Sequence, residues 1–403
     1  MKIKDKKRLA FLATHPIQYQ APLLRRIAKE EDIDLTVYFC SDLSVRGYKD
    51  PGFGKKIAWD TDLLSGYSYE FLPIVDGNNS VTTLRPFNYG LLKRLKKKNI
   101  DAIFINGYAR WYNLWVIIQS KSAGIKVLIR DEATPISARR NAIKKMLKRI
   151  FFQLLNKLCD GFMAIGTLNR QYYLQNGIPA EKIFMMPYAV DNDYFRHLSE
   201  EAKAKRQEFA RELGVDSRRP VILYASKLTQ RKRAQDLLDA YILLSPDGQA
   251  EPDPYLLVIG EGEARAFVEE KARARGWNSI KFLGFKNQSE LPAYFELCDV
   301  FVLPSVYEPW GLVVNEAMSA GRAVIVSDQA GCGPDLVQDG RNGFIFKAGD
   351  IWQLSEALKK ITGDRELARS LGMKSREIIG SWGIEQDIVG LRKAMGLKPG
   401  VPG

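Results

Sequence analysis

The sequence predicts an α/β protein made of two doubly wound parallel-sheet domains in series. Three observations predict it. Short apolar runs alternate with longer amphipathic stretches, and most runs are unbroken Val, Ile, Leu and Phe, as in strands covered by helices on both faces. This strand–helix rhythm starts afresh near Val221. A chain of 403 residues exceeds one ordinary core and suits two domains of roughly 150–200 residues.

The first-half runs are residues 9–14, 35–39, 102–106, 126–130, 161–165 and 184–186; the second-half runs are 221–225, 255–260, 281–284, 300–304, 323–327 and 343–346. The loop-like segment 187–195, a highly charged stretch at 199–213 that reads as an exposed helix, and Arg218-Arg219-Pro220 mark the seam. The expected division is an N-terminal domain, 1–195, a C-terminal domain, 196–375, and a tail, 376–403, ending in a helix that packs back on the first domain before a disordered 398–403. Two such sheets in series place a central cleft between their carboxyl ends, where ligands of open α/β sheets bind.

Hydrophobic residues make up 46% and charged residues 27%, a globular balance. No run approaches the ~18 apolar residues of a membrane span. The basic start, residues 1–8, is followed by an apolar run too short for a signal-peptide core and interrupted by His15-Pro16, so the expected location is the cytoplasm, with the inner face of the cell membrane as a second place. The four cysteines, Cys40, Cys159, Cys298 and Cys332, form no C-x-x-C pair, which indicates reduced, buried thiols. A net charge of +13 points to polyanions: nucleic acid, phosphorylated substrates or an anionic membrane.

The segment 299–321 carries the chemistry. A buried strand runs to Leu303, a loop follows, and a helix begins around Gly311 and ends near Gly321. Pro309 keeps Glu308 extended and in the loop, where its carboxylate can accept hydrogen bonds from sugar hydroxyls. The backbone amides of Gly311, Leu312 and Val313 open the helix and suit phosphates. Glu316 lies more than one turn further in, where it can take both hydroxyls of a ribose. Two glutamates near a helix start are also a common way to compensate the helix dipole, so the spacing alone does not decide.

The surrounding residues do. This stretch resembles the E-x7-E segment of retaining glycosyltransferases of family 4, which have the GT-B fold of two Rossmann-like domains. The segment 225–232, Ala-Ser-Lys-Leu-Thr-Gln-Arg-Lys, resembles the family's G-R-L-x-x-x-K-G, with Lys227 at the Arg position and Lys232 at the Lys position. Residues 255–262 resemble its strand ending in G-x-G, with Gly260 and Gly262 as the glycines, and residues 291–299 and 331–344 resemble later segments. The resemblance implies that Glu308 orients the donor sugar, that Lys227 and Lys232 neutralise the leaving diphosphate, and that the acceptor attacks from the same face with retention. It implies a UDP- or GDP-sugar as substrate, with no cofactor and no metal. Lys at 227 gives up a bidentate phosphate contact, and Ala225 and Arg233 stand where the family has glycines. Residues 260–265 lack the third glycine of a dinucleotide fingerprint. Asp60-Thr-Asp62 and Asp191-Asn-Asp193 look like D-x-D pairs, which are common by chance.

In the first half, the loop 14–22 lacks the family's usual glycine pair but resembles the H-P-I-Q-Y opening of a subgroup found in bacterial surface-polysaccharide synthesis, as do residues 50–54, Trp59-Asp60 and Gly66-Tyr67. His15, at the end of a central strand, is a candidate catalytic residue, with a backbone-bonded loop histidine as the alternative. Gln18 and Tyr19 are candidate acceptor-side residues. Arg130 stands where many family members have a histidine and is a candidate catalytic residue; Glu132 is an acceptor-side alternative, and a salt bridge that fixes the loop is an equal reading. Gly107 ends another strand on that side. His197 reads as incidental.

Positive charge concentrates at 93–98 and 139–157. The second cluster is amphipathic, with Ile143, Met146, Leu147, Ile150 and Phe151 at helical spacing. Such a helix lies on anionic lipid or docks on its own sheet. Neither 93–98 nor 139–149 interleaves aromatic residues, which argues against nucleic acid as partner. The expected function is transfer of a sugar to a glycan or lipid-linked acceptor; the alternatives are another GT-B enzyme (a nucleotide-sugar epimerase or a phosphorylase) and a basic polyanion-binding protein.

Overall fold

The computed structural model describes residues 6–49, 56–57, 59–75, 77–137, 142–245, 251 and 253–398. The motif residues 50–54, the start of the basic stretch at 139–141 and the end of the tail at 399–403 lie outside them. The chain divides into two compact units, one of Met1–Tyr48, Ile57–Tyr188 and Ile384–Gly403, the other of Lys49–Lys56 and Ala189–Gly383.

The first unit holds a seven-stranded sheet: β1 Lys7–Ala13, β2 Ile33–Phe39, β3 Ser68–Phe71, β4 Ala102–Asn106, β5 Lys126–Arg130, β6 Gly161–Ala164 and β7 Ile183–Met185. The spatial order is β3-β2-β1-β4-β5-β6-β7, with parallel pairing throughout. The second unit holds β8 Val221–Ala225, β9 Tyr255–Ile259, β10 Ile280–Gly284, β11 Val300–Leu303, β12 Ala323–Ser327 and β13 Gly343–Phe346, in the order β10-β9-β8-β11-β12-β13, again parallel. Each order reverses direction beside its first strand, between β1 and β4 and between β8 and β11. This is the doubly wound arrangement, whose ligands sit outside the carboxyl ends of the strands at that switch point.

The unbroken apolar runs explain the layering. In the first sheet Phe11, Val37 and Phe104 lie in register and face one core, whereas Leu12, Tyr38 and Ile105 face the other, and all are fully buried. In the second sheet Ile222, Leu256 and Val300 lie in register within one core.

Every anticipated strand is present. Three further strands lie outside the expected set: Tyr48–Lys49 and Lys56–Ile57, which form a small two-stranded sheet, and β3, whose polar, largely exposed Ser-Tyr-Glu-Phe occupies a sheet edge, where only one neighbour demands apolar side chains. Its Glu70 meets Arg94 at 3.1 Å and Lys98 at 2.9 Å, which absorbs part of the 93–98 basic cluster. The stretch 199–213 is not one exposed helix. It belongs to two helices, Asn192–Lys203 and Arg206–Glu212, because Phe195, Ser199 and Ala210 face inward. Helix Ile384–Met395 packs on the first unit against β7 and helix Gln20–Ala28. There a Cβ on Gly390 would lie 1.8 Å from the Met185 carbonyl oxygen, and Arg392 forks onto Asp32 at 2.8 Å. All four cysteines are buried.

Candidate donor-binding and catalytic site

The site residues of the second unit follow β8 and its neighbour β11. The loop after β11 is fixed through its backbone. Val306 N–H donates to Arg231 O (3.0 Å), Glu308 N–H to Gln329 O (3.0 Å), Gly331 N–H to Glu308 O (2.9 Å) and Cys332 N–H to Trp310 O (3.0 Å). A Cβ on Gly331 would lie 1.9 Å from Pro309 O, so the close approach of these two segments needs glycine there. With both backbone groups engaged, Glu308 presents its side chain in one place. That side chain is nearly buried, and its Oε2 contacts Lys232 Nζ.

Lys232 ends the short turn Gln230–Lys232 after β8. Arg233, where the resembled family has glycine, adopts a left-handed conformation (φ 53°, ψ 39°). Its guanidinium grips Asp236 at 2.8 Å through two nitrogens, which helps an arginine hold a shape suited to glycine. Lys227 sits in the same connection. Gly260 and Gly262 are required by that connection: a Cβ on either would lie 2.0 Å from Ser226 O or 2.3 Å from Leu228 O. Their direct role is to let the β9 end pack against the loop carrying Lys227.

Gly311 precedes helix Leu312–Ser319 at φ 104°, and the helix starts with no side-chain cap. The first-turn amides of Leu312 and Val313 have no partner inside a helix, and Gly311 lies against Glu308, where a Cβ would sit 3.4 Å from Glu308 Cγ. Trp310 braces the turn: its Nε1 donates to Asn315 Oδ1 (2.9 Å), and its ring stacks on Trp382 at 5.5 Å. Glu316 lies on this helix and has no side-chain hydrogen-bond partner among the described residues. Burial pushes its carboxyl up to about 8. An acceptor held in such a place is completed by hydroxyl donors.

In the first unit, His15, Gln18 and Tyr19 follow β1, and Gly107 follows β4. The ring of Tyr19 meets Tyr188 edge-on at 5.8 Å, and the Tyr188 hydroxyl donates to the carboxylate of the exposed Glu132. Gly107, at φ 84°, donates its N–H to Arg130 O (2.6 Å). Arg130 does not face solvent at the strand end. It is 2% exposed, lies 4.7 Å from the Tyr188 ring and 5.7 Å from the Phe104 ring, and has Nη1 3.6 Å from Asp387 Oδ1. The fixing contact is the reading this geometry supports. Asp387 gave no signal in the sequence because it lies on the far C-terminal helix. The two D-x-D pairs have local roles: Asp62 accepts from Leu64 and Ser65 N–H, and Asp191 caps helix Asn192–Lys203. Gln20 escaped notice as an ordinary helix-start residue, yet it is 1% exposed and neither atom of its amide has a hydrogen-bond partner among the described residues.

Residues 205–378 match the family of glycosyl transferases group 1. The chain is 28% identical over 191 residues to alpha-D-kanosaminyltransferase of Streptomyces kanamyceticus, covering 47% of each. It is 24% identical over 310 residues to the N,N'-diacetylbacillosaminyl-diphospho-undecaprenol alpha-1,3-N-acetylgalactosaminyltransferase of Campylobacter jejuni, covering 74% of this chain and 77% of that one. The chain spans a little under half the length of several curated relatives it matches. Among solved structures, Anabaena HepE in complex with UDP and glucose superposes with a TM-score of 0.71 at 19% identity, over 97% of this chain and 100% of that one. The architecture is the two-domain, Rossmann-like GT-B fold.

Proposed function

We propose that the protein is a retaining glycosyltransferase that moves a sugar from a UDP- or GDP-sugar to a glycan or lipid-linked acceptor in bacterial surface-polysaccharide synthesis. The observation that carries this reading is the Lys232–Glu308 contact beside the uncapped helix start at Gly311. A carboxylate for sugar hydroxyls, amides for the diphosphate and the Glu316 carboxyl for the ribose succeed one another along one loop and one helix, and Lys232 reaches Glu308 from the turn after β8.

Catalysis in this reading is electrostatic. Lys232 and Lys227 offset the charge that grows on the leaving diphosphate, aided by the helix dipole. Glu308 fixes the ring so that the acceptor oxygen attacks from the face the diphosphate leaves. No step calls for a metal or a cofactor. His15, Gln18, Tyr19, Gly107 and Glu132 form the acceptor side, with Arg130 positioning Tyr188 from behind. The Campylobacter relative, whose name describes an undecaprenol-diphosphate-linked acceptor, aligns over much of the first unit as well and supports an acceptor of that class.

Thermal shift with UDP, GDP, ADP and their sugars tests the donor reading; no stabilisation by any of them would overturn it. The anomeric configuration of the product, read by NMR coupling constants, tests retention.

A further inference from the structure

Two neighbouring helices of the first unit expose apolar side chains in bulk. On helix Ala142–Leu158 the residues Ile143 (64% exposed), Leu147 (57%), Ile150 (47%) and Leu154 (56%) form one stripe. Their spacing of four, three and four places them on one face. Phe152 and Leu155 fill the core from the opposite side, so the stripe is left over after packing is complete. Helix Trp111–Ser122 adds Trp111 (61%) and Trp115 (49%). The two helices are joined by a groove between Trp111, Leu114, Leu147 and Phe151. Single exposed apolar residues need no explanation, but a contiguous patch across two helices marks an interaction surface.

Charge says what covers it. Helix Ala142–Leu158 carries Lys144, Lys145, Lys148, Arg149 and Lys157 and no acidic residue. Lys144 and Lys157, three residues from Leu147 and Leu154 respectively, flank the stripe, and both are exposed. An apolar stripe with a cationic border and tryptophans alongside is complementary to the acyl–headgroup boundary of an anionic bilayer. A protein partner would have to match the apolar stripe and a border of one sign together. No helix among the described residues is long and apolar enough to cross a membrane, so the contact is one of lying on the surface.

We infer that this two-helix face docks on an anionic lipid bilayer, with Ile143, Leu147, Ile150 and Leu154 in the acyl boundary, Trp111 and Trp115 at headgroup depth, and Lys144 and Lys157 on lipid phosphates. The inference extends the lipid-linked reading of the acceptor. Tyr108, which follows Gly107 at the end of β4, lines the same groove and takes a hydrogen bond from Lys148 (3.1 Å). Docking would thus hold the acceptor-side loop at the membrane plane.

The test is flotation of the full chain with vesicles of phosphatidylglycerol mixed into phosphatidylcholine, against pure phosphatidylcholine, at low and high salt. The expected result is binding to the anionic vesicles at low salt, on the order of tenfold weaker at high salt. Lys144→Glu with Lys157→Glu lowers binding on the order of 100-fold, and Leu147→Ser with Ile150→Ser lowers it at least tenfold. All four positions are exposed, so the melting temperature stays put. Absence of binding to anionic vesicles at low salt, binding unchanged by both double variants, or a dimer dispersed by the serine variant in light scattering would each overturn the inference. Nucleotide thermal shift on the same preparations reports on the donor reading separately: its absence would overturn that reading and leave the lipid result standing.

Discussion

Lys232 holds the carboxylate of Glu308 across the ends of two adjacent strands, in a contact where the two side chains are only 12% and 10% exposed. Breaking a nearly buried pair by removing one partner leaves the other charge uncompensated, which costs about 3–5 kcal/mol when burial is complete. Lys232→Met is therefore expected to lower unfolding stability in urea by about 3 kcal/mol. The double variant with Glu308→Gln recovers most of that loss without recovering transfer. Glu308→Gln alone keeps nucleoside-diphosphate affinity in calorimetry and lowers turnover on the order of 10²–10³-fold. A substantial loss of nucleotide affinity in Glu308→Gln would contradict its place at the sugar end.

Glu316 gives the nucleotide end a pH signature. Burial pushes its carboxyl from 4.5 to about 8, so at neutral pH it is mostly protonated, whereas two ribose hydroxyls are best accepted by the ionised form. Nucleoside-diphosphate affinity is expected to rise with pH up to about 8, with proton release on binding at pH 7. Calorimetry in buffers of different ionisation enthalpy reads that proton directly. Glu316→Gln should remove the proton release and weaken binding. Release that persists in the variant would assign the titration to another group.

The strands were legible in the sequence because each unbroken apolar run, such as 102–106 or 323–327, has helices to cover both faces. The loop geometry of Glu308 and Gly311 was legible because Pro309 and glycine act locally. What the sequence leaves open are readings that depend on distant chain. For Arg130 a catalytic role and a loop-fixing salt bridge stand equal in the sequence, and the second gains support only from Asp387, on the C-terminal helix, 3.6 Å from it. The stripe at Ile143, Leu147 and Ile150 has the spacing of a core face, and only Phe152 and Leu155, on the other side of the same helix, settle that it points outward. Gly260 and Gly262 carry a family motif, yet what demands glycine is the backbone of Ser226 and Leu228 against them.

That last contact predicts a mutation. Gly262 adopts φ 150°, and a Cβ there would sit 2.3 Å from Leu228 O, a backbone atom that cannot step aside alone. Gly262→Ala is expected to push the 226–228 connection away from β9 and displace Lys227 with it. Stability falls by about 1–3 kcal/mol, and nucleoside-diphosphate affinity falls as well. Alanine at Gly340, which has open space around it, controls for backbone strain: it lowers the melting temperature modestly and leaves nucleotide affinity alone. Unchanged affinity in Gly262→Ala would separate Lys227 from the diphosphate.

The Arg130–Asp387 contact makes a prediction that decides its own charge state. The geometry is that of an ion pair, but 3.6 Å is too long for a hydrogen bond, and burial pushes Asp387 up to about 8 despite the opposing pull of Arg130. The distance favours a mostly neutral carboxyl at pH 7, with the Arg130 cation balanced by the faces of Tyr188 and Phe104. A neutral amide then replaces the protonated carboxyl with little loss, so Asp387→Asn should match wild type near pH 4 and exceed it at pH 6, by up to about 3 kcal/mol. The folded protein holds this proton more tightly than the unfolded chain, so the stability it contributes is full below about 3.8 and is lost as pH rises through about 8. Relative to Asp387→Asn, wild-type stability should fall with pH between about 5 and 8, by up to about 1.4 kcal/mol per pH unit. A fully ionised pair behaves in the opposite way: Asp387→Asn would strand the arginine and cost about 3–5 kcal/mol, with no decline of wild type against the variant over that range. Urea unfolding of the two proteins across pH 5–9 distinguishes these outcomes. Nucleotide binding, which the proposed function places in the second unit, should be the same in both.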